Sequence, residues 1–249
     1  MAVKVHLFIP CYIDQFQPEV AVSSARILRE FGCELVYPDE QTCCGQPMFN
    51  TGYTKEARRL AERFLNIFER AEYIVAPSGS CVAMVQKMYG QLQLSGVHRA
   101  NWESLRERIY EFSQFLEVIL GQQSWEGVFS GRVTYHDSCH LLRELGVAAG
   151  PRRLLRSIEG LEYVEMPNAD TCCGFGGLFS AKYPEISTAM LENKVSWIQQ
   201  SGAEWVVASD VGCLMNIDGY LKKHHIPVKT IHLVQLLWLA RQKVRTRQP

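Results

Sequence analysis

The sequence predicts an α/β protein with two pseudo-symmetric halves, each built from a mainly parallel sheet flanked by helices. Two observations predict this fold: strand-like and helical stretches alternate along the chain, and the same order of stretches occurs twice. Alternating strands and helices are typical of parallel sheets whose faces the helices cover. A repeated order of elements indicates an internal duplication. We therefore expect a first domain at residues 1–122, a linker at 123–130 and a second domain at 131–249.

In the first half, short apolar runs predict buried strands, and amphipathic stretches predict helices between them. The clearest helix lies at 55–70, where six apolar residues share one face: Ala57, Leu60, Ala61, Phe64, Leu65 and Phe68. In chain order the predicted elements are a strand at 3–9, a helix at 18–31, a strand at 33–37, the helix at 55–70, a strand at 73–76, a helix after Cys81, a loop at 91–102, and a helix or a strand and a helix at 103–120.

The second half repeats this order with similar sequences. Its predicted elements are strands at 133–136, 161–165 and 203–208 and a helix at 185–200. Residues 203–208 (AEWVVA) match residues 71–76 (AEYIVA), and residues 233–237 resemble residues 112–116. These matches support the duplication independently of the cysteines.

Eight of the nine cysteines belong to the repeat, and each follows a predicted strand. They are Cys11, Cys43, Cys44 and Cys81 in the first half and Cys139, Cys172, Cys173 and Cys213 in the second, at offsets of 128, 129, 129 and 132 residues. Because functional groups in parallel sheets gather where the strands end, we expect four thiols to converge in each half. The ninth cysteine, Cys33, begins a predicted strand, and we expect it to pack as a small apolar side chain.

Adjacent cysteines are poorly suited to a structural disulfide, because their Cα atoms lie only about 3.8 Å apart and a relaxed disulfide needs about 4.4 Å or more. Four clustered thiolates would repel one another unless a metal centre compensates their charge. Iron–sulfur clusters and zinc both accept four thiolates, and the chain has no Cys-x-x-Cys motif of a zinc ribbon. The pattern favours iron–sulfur clusters. Zinc, in one site or in both, and metal-free thiol–disulfide chemistry stay open as alternatives.

Histidines flank Cys139 in the segment HDSCH at 136–140. A neighbouring histidine can activate a cysteine nucleophile, but the equivalent Cys11 has neither histidine. We therefore expect Cys139 to be a metal ligand, and we predict no catalytic residue in this chain.

Composition and charge argue against several classes of function. The 26 basic residues balance the 26 acidic ones, so the formal net charge is zero and nucleic-acid binding has no support. No run reaches the roughly 20 apolar residues of a membrane span, and no signal peptide is evident. Nine cysteines without a secretion signal indicate metal or redox chemistry in a reducing compartment, so we expect a cytoplasmic protein. The chain also lacks a phosphate-cradling loop for a flavin or nicotinamide cofactor, which places substrate oxidation in a partner.

The cysteine motifs resemble those of a known family. The pattern Cys-x31-CCG-x35-Cys and its repeat Cys-x32-CCG-x38-Cys resemble the tandem cysteine-rich CCG domain that occurs in heterodisulfide reductase and in the glycolate oxidase iron–sulfur subunit. The segments CGQP (44–47), PSGSC (77–81), TCCGFGG (171–177) and CLMNI (213–217) are similar to the lactate-utilisation protein A family. This resemblance implies an iron–sulfur electron-transfer subunit that helps to oxidise L-lactate to pyruvate. It also implies one or two 4Fe-4S clusters on the eight cysteines and two companion lactate-utilisation proteins, including a ferredoxin-like iron–sulfur subunit.

The chain departs from the heterodisulfide reductase pattern at one position in each motif. That reductase ends each motif in Cys-x-x-Cys, and the first cysteine is replaced here by Ser78 and by Asp210. We therefore expect a conventional four-iron cluster or one with a non-cysteine ligand, and the reductase's disulfide-cleaving activity is not expected.

Overall fold

The computed structural model of the protein describes residues 2–245, with side chains through Val244. The chain divides into two compact units, Met1–Phe115 and Leu116–Pro249. Each unit holds a four-stranded sheet, which confirms the predicted α/β fold with two halves. The domain limits 1–122 and 131–249 stay a prediction. No helix within the described residues is long and apolar enough to cross a membrane.

The first unit contains a parallel sheet with helices between its strands. Its strands are β1 (Lys4–Leu7), β2 (Glu34–Val36), β3 (Tyr73–Ala76) and β4 (Ile109–Glu111). Its helices are α1 (Cys11–Phe16), α2 (Pro18–Glu30), α3 (Gln46–Asn50), α4 (Thr54–Phe68), α5 (Gly79–Gln86), α6 (Gly96–Leu105) and α7 (Phe112–Val118), whose last residues enter the second unit. The strand order is β2-β1-β3-β4, so the order reverses between β1 and β3. Such a reversal leaves a crevice at the carboxyl ends of the strands, where open α/β sheets bind ligands.

The second unit has the same construction. Its strands are β5 (Val128–Tyr135), β6 (Glu159–Tyr163), β7 (Trp205–Ala208) and β8 (Lys229–His232), in the parallel order β6-β5-β7-β8. Its helices are α8 (Cys139–Arg143), α9 (Ala149–Arg156), α10 (Leu178–Lys182), α11 (Pro184–Ser201), α12 (Val211–Lys223) and α13 (Leu233–Arg245). The register repeats as well, since Val5 pairs with Tyr73 in the first sheet and Val133 pairs with Trp205 in the second. β5 begins at Val128, within the expected linker 123–130.

The amphipathic helix predicted at 55–70 is α4, and its apolar face is buried. Phe64 and Phe68 pack on Phe8, which follows β1, at ring-centroid distances of 4.9 and 5.9 Å. All three rings are at most 3% exposed. Burial of one such side chain contributes roughly 1.5–3 kcal/mol, so this aromatic cluster is a main reason why α4 docks behind the cysteine-bearing edge.

The expected loop at 91–102 is wrong, because α6 occupies most of it. Ser95 caps this helix, and its hydroxyl accepts a hydrogen bond from the backbone N–H of His98. The helix buries only two residues, Trp102 and Leu105, both near its end. A segment with so few apolar positions lacks the helical periodicity on which the sequence prediction depends.

Short elements also escaped prediction. The segment 103–120 contains the strand β4 and the helix α7. This agrees with the second of the two predicted alternatives, a strand followed by a helix. Strand β8 and the five- or six-residue helices α1, α3, α8 and α10 were not predicted. Elements of one helical turn carry too few residues for a periodic pattern, and four of them lie next to the cysteines or the loops that hold them.

Candidate metal centre

The first cysteine group lies where the strands β1, β2 and β3 end. Cys11 is the first residue of α1, Cys81 is in the first turn of α5, and the adjacent pair Cys43-Cys44 lies in the loop between β2 and α3. The thiol of Cys43 is in hydrogen-bonding contact with the thiols of Cys11 and Cys44. Cys44 in turn contacts Cys81. The structure therefore brings together all four cysteines that the sequence assigned to this half.

A tight turn at Gly45 positions the adjacent cysteines. Its φ of +90° lies in the left-handed region, which glycine adopts without steric cost. Its backbone N–H points at the Sγ atom of Cys43, 3.4 Å away. The hydroxyl of Tyr89 donates to the carbonyl oxygen of Cys44 at 2.9 Å. The turn thus directs both thiols into one site, and the hydrogen bonds to Cys43 and Tyr89 pair the backbone N–H and carbonyl groups of the turn.

The second cysteine group repeats this arrangement. The thiol of Cys172 contacts those of Cys139 and Cys173, and Cys173 also contacts Cys213. Gly174 has a φ of +82°, and its N–H lies 3.3 Å from the Sγ atom of Cys172. The carbonyl oxygen of Cys173 accepts a hydrogen bond of 2.9 Å from the side chain of Asn216 instead of a tyrosine. All four cysteines assigned to this half are again together.

One thiol in each group is strongly acidic. Hydrogen bonds from the Cys11 and Cys44 thiols lower the pKa of Cys43 to about 3. In the second group, hydrogen bonds from the Cys139 and Cys173 thiols lower the pKa of Cys172 to about 2. The pKa values of Cys11 and Cys139 are raised, because each donates its proton to that neighbour and is partly buried. The pKa values of Cys44 and Cys173 are raised as well, so without a metal each group holds a thiolate beside two thiols that resist ionisation.

This protonation pattern fits a metal-binding donor set. Metals bind thiolates rather than thiols, so a bound cation would remove the remaining protons and compensate the charge. Four converging sulfur atoms suit an iron–sulfur cluster and also suit zinc. All nine cysteines are free thiols in the structure. Cys33 is 7% exposed and burial raises its pKa, so its predicted role as a small apolar side chain is confirmed.

Buried polar side chains behind the second group were missed from the sequence. The carboxylate of Asp137 accepts two hydrogen bonds from the Arg152 guanidinium, at 2.8 and 2.7 Å. The same guanidinium contacts Glu165 at 2.9 and 2.7 Å. Lys194 is fully buried, and its ammonium donates to the carbonyl oxygens of Asn168 and Ala169 at 2.8 and 3.2 Å. Alignment of the two halves on their first cysteines would have found Asp137, since it stands where the first half has the apolar Ile9.

His136 also belongs to the second site. One of its ring nitrogens and the sulfur atoms of Cys173 and Cys213 all lie within 4.8 Å of one another. The pKa of Cys213 is lowered to about 6, first by its hydrogen bond with Cys173 and then by this imidazole. The sequence pattern indicates this histidine only as an activator of Cys139, whereas the structure places it against two other cysteines.

The class of protein follows from this duplicated cysteine site. The family described as "Cysteine-rich domain" (CCG) matches residues 5–86 and again residues 133–218. These ranges contain all eight clustered cysteines, so the chain is a tandem cysteine-rich domain protein.

Full-length relatives define the family more closely. "Lactate utilization protein A" of Halalkalibacterium halodurans is 42% identical over 98% of this chain and 99% of its own length. The protein of that name from a Geobacillus species is 41% identical over 94% of this chain and 98% of its own length. The one from Macrococcus caseolyticus is 39% identical over 98% of this chain and 100% of its own length. The chain belongs to the lactate utilization protein A family, which confirms the resemblance seen in the motifs.

A solved structure supports the fold alone. The crystal structure of a hypothetical protein from Helicobacter pylori matches 95% of this chain with a TM-score of 0.59 at 12% sequence identity. The chain spans 48% of that protein's length. At this low identity the likeness carries no information on ligands.

Proposed function

We propose that the eight clustered cysteines bind iron–sulfur clusters and that the protein relays electrons in a system that oxidises L-lactate to pyruvate. The observation that carries the proposal is the convergence of four thiols in each unit, one of them already a thiolate. A cluster with four irons matches four sulfur ligands, so a conventional 4Fe-4S cluster in each unit is the form we favour. Such a cluster, when bound, accepts and donates single electrons.

The residues of this chain would hold and tune the cluster. The left-handed turns at Gly45 and Gly174 direct backbone N–H groups at the sulfur atoms of Cys43 and Cys172. Hydrogen bonds to ligand sulfur atoms shift the reduction potential of a cluster. The buried Cys44 and Cys173 keep part of each site away from water, which favours retention of a cluster.

The printed names of the relatives support the choice of lactate. In this proposal the chain acts in the cytoplasm with companion lactate-utilisation proteins, among them a ferredoxin-like iron–sulfur subunit, and a partner holds the substrate-oxidising centre. Removal of two electrons from a 2-hydroxy acid suits a protein with two one-electron centres. Nucleic acid has no place in this scheme, given the zero formal net charge.

Two other functions fit the same thiols. Zinc in one or both sites would make the protein a structural or assembly factor, because zinc is redox-silent. A metal-free protein would instead exchange thiols and disulfides, which the low pKa values of Cys43 and Cys172 would favour.

Serine substitutions at one cysteine per unit test the proposal. We expect Cys43→Ser and Cys172→Ser each to lose about half of the iron and to abolish lactate-dependent electron flow in the system reconstituted with its companions. Cys33→Ser is the matched control and should retain both. Electron flow that persists in Cys43→Ser and Cys172→Ser would refute the relay, and stoichiometric zinc without iron would favour the structural function.

A further inference from the structure

The position three residues before the first cysteine differs between the two halves. Phe8 precedes Cys11 by three residues, and His136 precedes Cys139 by three. The backbone N–H of Phe8 donates to the carbonyl of Val75 in β3 at 3.0 Å, and that of His136 donates to the carbonyl of Val207 in β7 at 2.8 Å. Phe8 directly follows β1 and His136 directly follows β5, and both continue the pairing with the next strand of their sheet in the same way. The two residues therefore occupy equivalent places next to their cysteine groups.

In the first half this position is entirely apolar. Phe8 is 0% exposed, and its ring packs edge-on against Phe64 and Phe68. A phenyl ring offers no lone pair to a metal. The side chain at this position therefore adds only packing to the first cysteine group.

In the second half the same position holds a buried imidazole beside the cysteine thiols. His136 is 0% exposed, and its ring makes no hydrogen bond to an oxygen or nitrogen atom of the described residues. Its polar contact is with the thiol of Cys213. A buried imidazole whose polar contact is a cysteine of the metal-binding group is placed to bind the same metal centre.

The donor atoms around His136 are spaced for one metal centre. A ring nitrogen and the sulfur atoms of Cys173 and Cys213 lie within 4.8 Å of one another. Donor atoms this close together can serve one metal centre after small side-chain rotations. The main chain of His136 is fixed by the β7 ladder, which leaves the ring aimed at this point.

The helix position that packs against Phe8 in the first half is also polar in the second half. An added Cβ would meet the carbonyl of Ala57 at Gly45 and that of Ser187 at Gly174, so Ala57 and Ser187 are equivalent. Seven residues later on the same helices stand Phe64 in the first half and Lys194 in the second. The contacting aromatic pair Phe8 and Phe64 of the first half is thus replaced by two buried polar residues, which packing alone would not favour.

We propose that His136 provides a nitrogen ligand to the metal centre of the second unit, alongside Cys173 and Cys213, so that the two units hold chemically different centres. This inference rests on the proposed metal-binding function of the cysteine groups. The first centre has only thiolate ligands. In the second unit five donors face the four ligand positions of a four-iron cluster, so the imidazole takes the place of one thiolate and the ligand set is mixed nitrogen–sulfur. Imidazole is neutral where thiolate is negative, and histidine in place of cysteine raises the potential of iron–sulfur centres. The second centre is therefore the more easily reduced of the two.

Pulsed EPR on the anaerobically prepared, reduced full-length protein tests this assignment. We expect a strong nitrogen hyperfine coupling typical of metal-bound imidazole, which shifts when the protein carries 15N-labelled histidine. The coupling should persist in Cys43→Ser/Cys44→Ser, which lacks the first centre, and should vanish in Cys172→Ser/Cys173→Ser. His136→Phe, which copies the first half, should lose the coupling and lower the potential of the second centre, whereas His140→Asn should change neither.

The possible outcomes separate the ligand assignment from the proposed function. An iron–sulfur signal without nitrogen coupling in the labelled wild type overturns the histidine ligand and leaves the iron–sulfur function intact. If the coupling is lost in His140→Asn and kept in His136→Phe, the coupled nitrogen belongs to His140, and this result also overturns the assignment of His136. A preparation with neither iron nor a signal overturns both. The isotope experiment on the wild type decides the matter even if His136→Phe does not fold.

Discussion

Replacement of Gly174 by alanine should destabilise the second unit far more than the same change at Gly146. Both glycines have positive φ, +82° and +69°. A Cβ at Gly174 would lie 2.7 Å from the carbonyl oxygen of Ser187 and 3.1 Å from the Cβ of Met190, whereas a Cβ at Gly146 would have nothing within 4 Å. Both substitutions therefore place an alanine in a left-handed backbone conformation, but only alanine at Gly174 also collides with Ser187 and Met190.

The expected magnitudes follow from these two terms. A left-handed conformation costs an L-residue roughly 1–2 kcal/mol, and this is the whole cost at Gly146. At Gly174 the helix α11 or the cysteine turn must shift as well, and overpacking of this kind adds about 1–3 kcal/mol. We expect a loss of about 1–2 kcal/mol for Gly146→Ala and about 2–5 kcal/mol for Gly174→Ala.

Urea unfolding of the metal-free protein, followed by 19F NMR of 5-fluorotryptophan, measures each unit separately. Trp102 lies in the first unit, and the other four tryptophans, Trp125, Trp197, Trp205 and Trp238, lie in the second. Their resonances therefore report each unit by its own signals, and the signals of the second unit should shift to lower urea concentration in both variants, further in Gly174→Ala. Metal removal keeps binding energy out of the comparison.

A small difference between the two variants would contradict this role of Gly174. If Gly174→Ala unfolds within about 0.5 kcal/mol of Gly146→Ala, which is the usual scatter of independent sites, the contact with Ser187 does not constrain the cysteine turn. The turn would then tolerate a side chain, and Gly174 would not be needed to place Cys172 and Cys173.

Three other predictions concern ionisation and the buried ion pair. In the metal-free protein, iodoacetamide should modify Cys43 and Cys172 at a nearly constant rate between pH 5 and 7 because both are already thiolates, whereas an ordinary thiol gains about tenfold per pH unit; mass spectrometry of labelled peptides that shows the ordinary slope would contradict this. Arg152→Met should cost the second unit about 3–5 kcal/mol in urea, because it leaves the buried Asp137 carboxylate uncompensated, and a loss below about 1 kcal/mol would contradict the pairing. Burial opposes ionisation of Glu165, but its hydrogen bonds lower its pKa below the usual value. Its contribution to stability is present above its unfolded-state pKa of about 4.3 and is lost as the pH falls through the lowered pKa of the folded state. Acid unfolding curves of the wild type and Glu165→Gln should therefore differ at neutral pH and converge below that lowered pKa.

The periodic and repeated parts of the structure could be predicted from the sequence. The amphipathic helix at 55–70 and the matched segments 71–76 and 203–208 are defined by residues that are close together in the sequence. The helix, the two strands and the duplication can therefore be predicted from the local sequence pattern. The grouping of the cysteines also follows, because strands of a parallel sheet end at one edge. Helix α6 does not follow, since it buries only Trp102 and Leu105.

The polar surroundings of the second site depend on long-range contacts, which no local pattern contains. Lys194 reaches carbonyl oxygens 25 and 26 residues earlier in the chain, and Arg152 bridges Asp137 and Glu165 from two different segments. The role of His136 depends on a ring that faces Cys173 and Cys213, which lie 37 and 77 residues further on in the sequence. Only the folded chain shows that these residues and the cysteines share a site.

Metal analysis of anaerobically isolated protein tests the central claim most directly. Iron, acid-labile sulfide and zinc would be measured per chain, with EPR spectra of reduced and oxidised samples. The account predicts about eight irons with an equal amount of sulfide, for a four-iron cluster in each unit, and an EPR signal that changes with redox state. Zinc alone, or no metal with intact thiols, would contradict electron relay by this protein.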